Sequence, residues 1–99
     1  MARSEFRYNK KRKHYAYLFK DVGSKVKNIV FTSKQFRKYR GDYRKNVKLY
    51  AHPNPNSNKT VYVIPYVYVD EISSFESKKL DWKFNINDKR KIKRIKKRY

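Results

Sequence analysis

The sequence predicts a small α+β protein, mainly β, that ends in a basic α-helix. Residues 14–20 alternate large apolar side chains with smaller or polar ones, and residues 60–70 are dense in β-branched and aromatic residues, as strands are. Isoleucines at helical spacing mark residues 87–99 as a helix. A chain of 99 residues allows one modest core. We therefore expect a single domain over residues 14–99, preceded by a basic arm over residues 1–13 that ends in a docked segment.

The first two strands form a predicted hairpin. Tyr15, Tyr17 and Phe19 recur at a period of two, residues 21–24 supply turn chemistry, and residues 25–32 resume as a strand that enters the core. Residues 47–50 are a further short strand. Residues 52–58 are so rich in Pro and Asn that we expect a surface loop, and we interpret His52 as an ordinary residue of that loop.

Residues 33–46 leave two interpretations open. Phe36, Tyr39 and Tyr43 are spaced as on a helix, whereas Gly41 weakens a helix and favours a long loop. The segment belongs to the second of three clusters in which basic and aromatic residues alternate. These clusters cover residues 3–13, 34–48 and 89–98.

Residues 60–70 form the strongest predicted strand. Pro65 has no N–H to donate to a ladder, so the strand must be bent, bulged or at an edge there. We interpret the carboxylate pair Asp70 and Glu71 after it as a solvated turn.

The predicted helix begins with a polar cap. Asn87 is the expected capping residue, and Asp88 suits the positive end of the helix dipole. Ile92, Ile95 and Tyr99 then form one narrow apolar stripe, so the remaining basic face is expected to meet an anion.

The charge of the chain predicts a polyanionic partner. Lys and Arg number 28 against 8 Asp and Glu, a formal net charge of +20. Nucleic acid is the expected partner, RNA in preference to DNA, because phosphates would bind the cations while unpaired bases stack on the aromatic rings. The candidate nucleic-acid-binding residues are Arg12, Lys34, Arg37, Lys38, Arg40, Tyr43, Arg44, Lys89, Arg90, Lys93, Arg94 and Lys97.

Several other functions are disfavoured. No apolar run approaches the ~20 residues of a membrane span, so a cytoplasmic location without membrane contact is expected. Scattered carboxylates and the absence of Cys argue against a metal site, and two Gly are too few for a phosphate-binding loop, so no metal and no cofactor are expected. Metal-free cleavage of RNA remains, since it needs only a groove, a cation and groups that move protons.

The order of segments resembles the MazF/PemK family of small toxins over about residues 10–96. Arg12, Lys13 and His14 precede the apolar strand YAYLF, and the strand NIVF ends in Thr32 and Ser33 before a basic loop. The segments TVYVIPYVYVDEISSF, LDWKFNIND and KRKIKRI follow in the order of the family's long strand, polar turn and C-terminal helix.

The resemblance implies an SH3-like β-barrel and a metal-independent endoribonuclease that is a homodimer with an acidic antitoxin-like partner. By position, Thr32 and Ser33 would supply the catalytic hydroxyl, and Lys13 or Arg12 would stand near the catalytic arginine. The family's Arg-Pro pair reads Lys13-His14 here, so either His14 transfers the proton or catalysis has been lost. The alternative is a non-catalytic binder of nucleic acid or ribonucleoprotein, such as a phage or mobile-element inhibitor.

Overall fold

Strand β3 lies at the centre of the sheet. The computed structural model describes residues 2–97. Its elements are the strands β1 (Ala2–Asn9), β2 (His14–Val22), β3 (Lys25–Thr32), β4 (Phe36–Tyr39), β5 (Asp42–Lys45), β6 (Val47–Lys48), β7 (Tyr62–Val63) and β8 (Tyr68–Glu71), then a 3-10 turn (Ile72–Ser74) and helix α1 (Ile86–Lys97). The main sheet is antiparallel, with the order β1-β2-β3-β7-β6, and β8 pairs with the first half of β3. The predicted mainly β class with a C-terminal helix is confirmed.

The hairpin of β2 and β3 confirms the predicted period of two. Val22 pairs with Lys25 across a two-residue turn, in which Gly23 takes a φ of +62° that favours glycine. Tyr17 and Phe19 pack into the larger core on the helix side of the sheet. The alternate residues of β2, Ala16 and Leu18, pack into a second, smaller core. Both faces of the central strands are therefore buried.

Residues 1–13, for which the sequence predicts a basic arm, instead hold the edge strand β1. Phe6 pairs with Tyr17 of β2 and is only 6% exposed, because its ring enters the larger core. The cations of this strand are partly neutralised, since Arg7 Nε lies 2.8 Å from Glu5 Oε2. Phe6 and Tyr8 do alternate with charged residues, but the dense basic run after them hides that period.

Pro65 interrupts the strongest predicted strand, as expected. Val63 pairs with Phe31, and Tyr68 pairs with Asn28, so five steps along the β7–β8 segment oppose three steps along β3. The two extra residues form an irregularity around Pro65, where the missing N–H costs no ladder bond. The bend lets one segment follow β3 along its whole length.

Residues 36–45 adopt neither of the two predicted conformations. They form a second hairpin, β4 with β5, whose turn places Arg40 at φ +51° and Gly41 at φ +83°. Two consecutive positive φ values are those of the tight turn that best suits the twist of paired strands. The helical spacing of the aromatic residues was therefore misleading, and Gly41 marks a turn between strands.

Helix α1 packs its apolar stripe on the sheet. Ile92 and Ile95 are buried in the larger core, as predicted, whereas Tyr99 lies outside the described residues. The predicted cap is wrong by two positions: Asn85 Oδ1 accepts the N–H of Asn87 at 2.9 Å, so Asn85 caps and Asn87 lies in the first turn. None of the helices in residues 2–97 has the length and apolar character needed to cross a membrane.

Candidate nucleic-acid interface

Four residues that the sequence nominates as catalytic meet in one pocket. Lys13, His14, Thr32 and Ser33 all line a cavity of about 290 Å³. The antiparallel pairing of β2 with β3 brings the start of β2 beside the end of β3, and so His14 beside Thr32. Lys13 reaches the same wall from the preceding turn, where it takes a φ of +59° and donates its N–H to Asn9 O at 2.8 Å. A lysine in the left-handed region costs about 1 kcal/mol, which the turn must offset.

A second histidine lines the same pocket. His52 enters it from the loop between β6 and β7, together with Lys59. Its Nδ1 accepts the backbone N–H of Asn54 at 3.0 Å, and its ring meets that of Trp82 edge-on at 5.4 Å between centroids. We call this cavity the histidine pocket. The interpretation of His52 as an ordinary loop residue misses this position, because the two histidines are 38 positions apart and no local pattern indicates that they line the same pocket.

Both histidines favour the neutral form. Burial lowers the pKa of His14, and the positive charge of Lys34 lowers it further. Burial likewise lowers the pKa of His52, with a smaller contribution from Lys59. Because Nδ1 of His52 accepts a hydrogen bond, the neutral ring carries its proton on Nε2. Neutral imidazole is the form that accepts a proton in general-base catalysis.

The hydroxyl of Thr32 has a structural partner. Thr32 is 8% exposed, and its Oγ1 accepts the N–H of Lys34 at 3.2 Å in the turn that leaves β3. The O–H can still donate a hydrogen bond into the pocket. Ser33 beside it is exposed. The geometry therefore permits both a turn-closing role and a contact to substrate for Thr32.

The hairpin of β4 and β5, residues 36–45, is called the basic hairpin. Strand alternation and register place four residues on one of its faces, and all four are exposed: Phe36, Lys38, Tyr43 and Lys45. Arg37 and Arg44 lie opposite each other on the other face. Of the candidate binding residues, Lys34, Arg37, Lys38, Arg40, Tyr43 and Arg44 all belong to this hairpin or to its base.

Asn46 fixes the base of the basic hairpin. This buried residue donates Nδ2 to Lys34 O at 3.0 Å and accepts Arg37 Nη1 on Oδ1 at 2.7 Å. Its backbone N–H bonds to Gln35 O at 2.8 Å. The hairpin thus begins at the segment whose Lys34 acts on His14 and whose Ser33 lines the histidine pocket, so the base of the hairpin adjoins that pocket.

The candidate cations of helix α1 form a third part of the surface. Five of them are exposed on the solvent side of the helix: Lys89, Arg90, Lys93, Arg94 and Lys97. Lys91 differs, because its Nζ donates to Lys48 O at 3.0 Å. Asp88 is fully buried, and its carboxylate accepts the N–H groups of Tyr50 at 2.7 Å and Ala51 at 3.2 Å. The helix start is therefore tied to the loop that carries His52.

Arg12 lies in an internal ion pair. Its Nε and Nη2 donate to Asp70 Oδ2 and Oδ1 at 2.8 and 2.7 Å, and its guanidinium stacks 3.8 Å above the Tyr68 ring. The interpretation of Asp70 as solvated is wrong, because its exposed fraction is 1%. Burial alone would raise the pKa of Asp70, but hydrogen bonds from Arg12, Asn28 and Asn9 outweigh burial and lower the pKa to about 2.

Comparison of the chain with protein-family models, with curated proteins and with solved structures gives no match. In the part of the chain that the structure describes, no three His, Cys, Asp or Glu side chains form a group able to hold a metal ion.

Proposed function

We propose that this protein binds RNA and cleaves it at the histidine pocket as a metal-independent endoribonuclease. One observation carries the proposal: two histidines, Thr32 and two lysines from distant parts of the chain converge in a single pocket, beside Lys34 at the base of the basic hairpin. RNA contains its own nucleophile, the 2′-hydroxyl, so cleavage requires only proton transfer and stabilisation of charge. Residues of these types supply both.

The proposed reaction is an internal transfer of the phosphodiester. One neutral imidazole accepts the proton of the 2′-hydroxyl as its oxygen bonds to the adjacent phosphorus. The other imidazole, protonated, gives its proton to the 5′-oxygen as the P–O5′ bond breaks. Lys13 and Lys59 face the charge that develops on the non-bridging oxygens, and the Thr32 hydroxyl can donate to one of them. The products are a 2′,3′-cyclic phosphate and a 5′-hydroxyl.

We also propose that the chain is related to the MazF/PemK toxins and shares their SH3-like barrel. The order of elements supports it, as does the long strand that bends at Pro65 while following β3. On this proposal the protein acts in the cytoplasm as a homodimer, and an acidic antitoxin-like protein covers the cationic surface. Arg12 is a departure, because its guanidinium is held by Asp70.

That departure favours a second candidate, a binder of RNA, DNA or ribonucleoprotein that does not cleave. The arginine nearest the expected catalytic position has an internal structural role, and Thr32 closes a turn. A binder would use the basic hairpin and the helix in the same way. In such a binder, the histidine pocket would have no catalytic role.

Cleavage of mixed-sequence single-stranded RNA in EDTA separates the two candidates. We expect new ends that carry 2′,3′-cyclic phosphate, and a loss of rate of about 100-fold or more in both His14→Ala and His52→Ala. Asn56→Ala changes an exposed residue of the same loop as His52 and should cleave at the wild-type rate. RNA that is bound by the wild type but stays intact would favour the binder. Equal cleavage by all variants would indicate a contaminating nuclease and contradict the proposal.

A further inference from the structure

A second, larger cavity of about 500 Å³ lies between helix α1 and the sheet. We call it the helix groove. Its inner wall is aromatic and consists of Phe6, Tyr17, Trp82 and Phe84. These rings pack against one another at 4.8 to 6.0 Å between centroids, for example Phe6 with Phe84 at 4.9 Å. The volume lies in the range of about 300–1,000 Å³ that is usual for small-ligand sites.

The rim of the groove is cationic. Lys89, Lys93 and Lys96 follow one face of α1, and Lys83 also lines the cavity, from the segment before the helix. None of the carboxylates within residues 2–97 lines this cavity. The floor is made of tilted rings, of which those of Trp82 and Phe84 are partly exposed. Such rings with lysines around them suit a ligand that combines a flat ring with a phosphate. An acidic peptide would satisfy the lysines but would leave the aromatic floor uncovered.

Trp82 connects the groove to the histidine pocket. It lines both cavities, and its ring lies 5.4 Å from that of His52 on one side and 6.0 Å from that of Phe6 on the other. A nucleotide chain that has one phosphate in the histidine pocket can therefore reach the groove with its neighbouring nucleotide.

We propose that the helix groove binds one unpaired nucleotide that flanks the cleaved position of the RNA. This inference rests on the proposed function for the position of the flanking phosphate. The base lies on the aromatic floor, and its phosphate meets the lysines of α1. Duplex RNA is excluded from the groove. Each base of a duplex is stacked on both faces, so it could reach the aromatic floor only after its base pair is broken.

The helix offers a matched control for this proposal. Lys89, Lys93 and Lys96 line the groove, whereas Arg90, Arg94 and Lys97 do not, although both sets have the same spacing along α1. The triple variants K89Q/K93Q/K96Q and R90Q/R94Q/K97Q lose the same charge. All six residues are exposed, so both variants should fold, and the single variants K93Q and R94Q repeat the comparison with less change.

The test uses the fluorescence of Trp82, the one tryptophan of the chain. The protein is titrated with a single-stranded 2′-O-methyl RNA, which lacks the nucleophile and cannot be cleaved, and with its duplex. We expect the single strand to quench the emission. We expect both triple variants to bind more weakly because each loses three cations, and we expect the affinity of the groove variant to fall at least about threefold further than that of the control variant.

Three results would overturn the proposal: equal losses in the two triple variants, equal quenching by duplex and single strand, or displacement of the strand by an equal concentration of polyglutamate. Failure of the proposed function can be distinguished from failure of this inference, because binding of an uncleavable strand does not depend on the histidines. If His14→Ala and His52→Ala cleave normally while the groove variant alone loses the quench, the groove is supported and the catalytic assignment fails.

Discussion

Arg12 holds Asp70 through two parallel hydrogen bonds, Nε to Oδ2 at 2.8 Å and Nη2 to Oδ1 at 2.7 Å. Asn9 and Asn28 each donate Nδ2 to the same Oδ2 at 3.1 Å, so the buried carboxylate is satisfied from β1, from β3 and from the turn that follows β1. The pair joins the turn after β1 to β8. The sequence predicts that Arg12 binds nucleic acid. The structure instead pairs Arg12 with a buried carboxylate.

Replacement of Arg12 should destabilise the protein more than replacement of Asp70. Arg12→Met leaves a charged carboxylate buried, and we expect the free energy of unfolding in urea to fall by about 3–5 kcal/mol at pH 7. Asp70→Asn should cost less, because the Arg12 side chain is 29% exposed and can reach water. Lys11→Met is the control: its ammonium is 3.6 Å from Asp70 and 63% exposed, so its loss should cost at most about 1 kcal/mol.

The loss of unfolding free energy caused by Arg12→Met should be smaller in acid. The pKa of Asp70 is about 2 in the folded protein and about 3.9 in unfolded chains, so its stabilising effect is present above about pH 4 and is lost as the pH falls through about 2. Without Arg12, its hydrogen bonds and its charge no longer lower the pKa of Asp70, so the pKa rises. The carboxyl then protonates at a higher pH than in the wild type, which relieves the penalty. Equal costs at pH 7 and pH 4 would contradict this account.

The pH dependence of cleavage should report the two histidines. Because burial lowers both pKa values below 6.5, kcat/KM should follow a bell whose maximum lies below pH 6.5. Lys34→Gln removes a positive charge that acts on His14, so its pKa rises and one limb of the bell moves to higher pH. Lys59→Gln should move the other limb in the same direction. A profile that neither variant shifts would remove the histidines from the mechanism.

Tyr43 should contribute to RNA binding through its ring. The side chain is 76% exposed on the basic hairpin, so Tyr43→Ala should change the free energy of unfolding by less than about 0.5 kcal/mol. Stacking of one base is worth about 1–3 kcal/mol, which predicts a loss of affinity of about 5- to 150-fold for single-stranded RNA in a filter-binding assay. Tyr43→Phe keeps the ring and should bind normally. A defect in Tyr43→Phe as large as that of Tyr43→Ala would indicate a hydroxyl contact instead.

Asp88 should affect cleavage from outside the histidine pocket. Asp88→Ala leaves the N–H groups of Tyr50 and Ala51 without their acceptor, which should cost about 2–4 kcal/mol and loosen the loop that carries His52. We expect slower cleavage at a temperature where the variant is still folded. Asn85→Ala removes only the helix cap, costs about 1 kcal/mol, and should leave the rate unchanged. Equal rates in the two variants would show that the loop does not depend on Asp88.

Local patterns predicted most of the strands. The alternation of residues 14–20 and the turn formers before residue 25 gave the β2–β3 hairpin, and the missing N–H of Pro65 gave the bend in the longest strand. Local patterns gave the wrong structure for residues 36–45, where a helical spacing and a strand spacing both fit the sequence. Phe36, Tyr39 and Tyr43 suit a helix by spacing, but the two positive φ values at Arg40 and Gly41 decide for a hairpin.

The sequence by itself determined the mainly β class, the C-terminal helix with Ile92 and Ile95 on its buried side, and the large excess of positive charge. These are properties of neighbouring residues or of a sum over the chain. Only the tertiary structure decided that His52 and His14 line one pocket, that Asp70 neutralises Arg12, and that Trp82 joins two cavities. Each of these depends on which strands and loops lie side by side, and burial then sets the electrostatic effect of the contact.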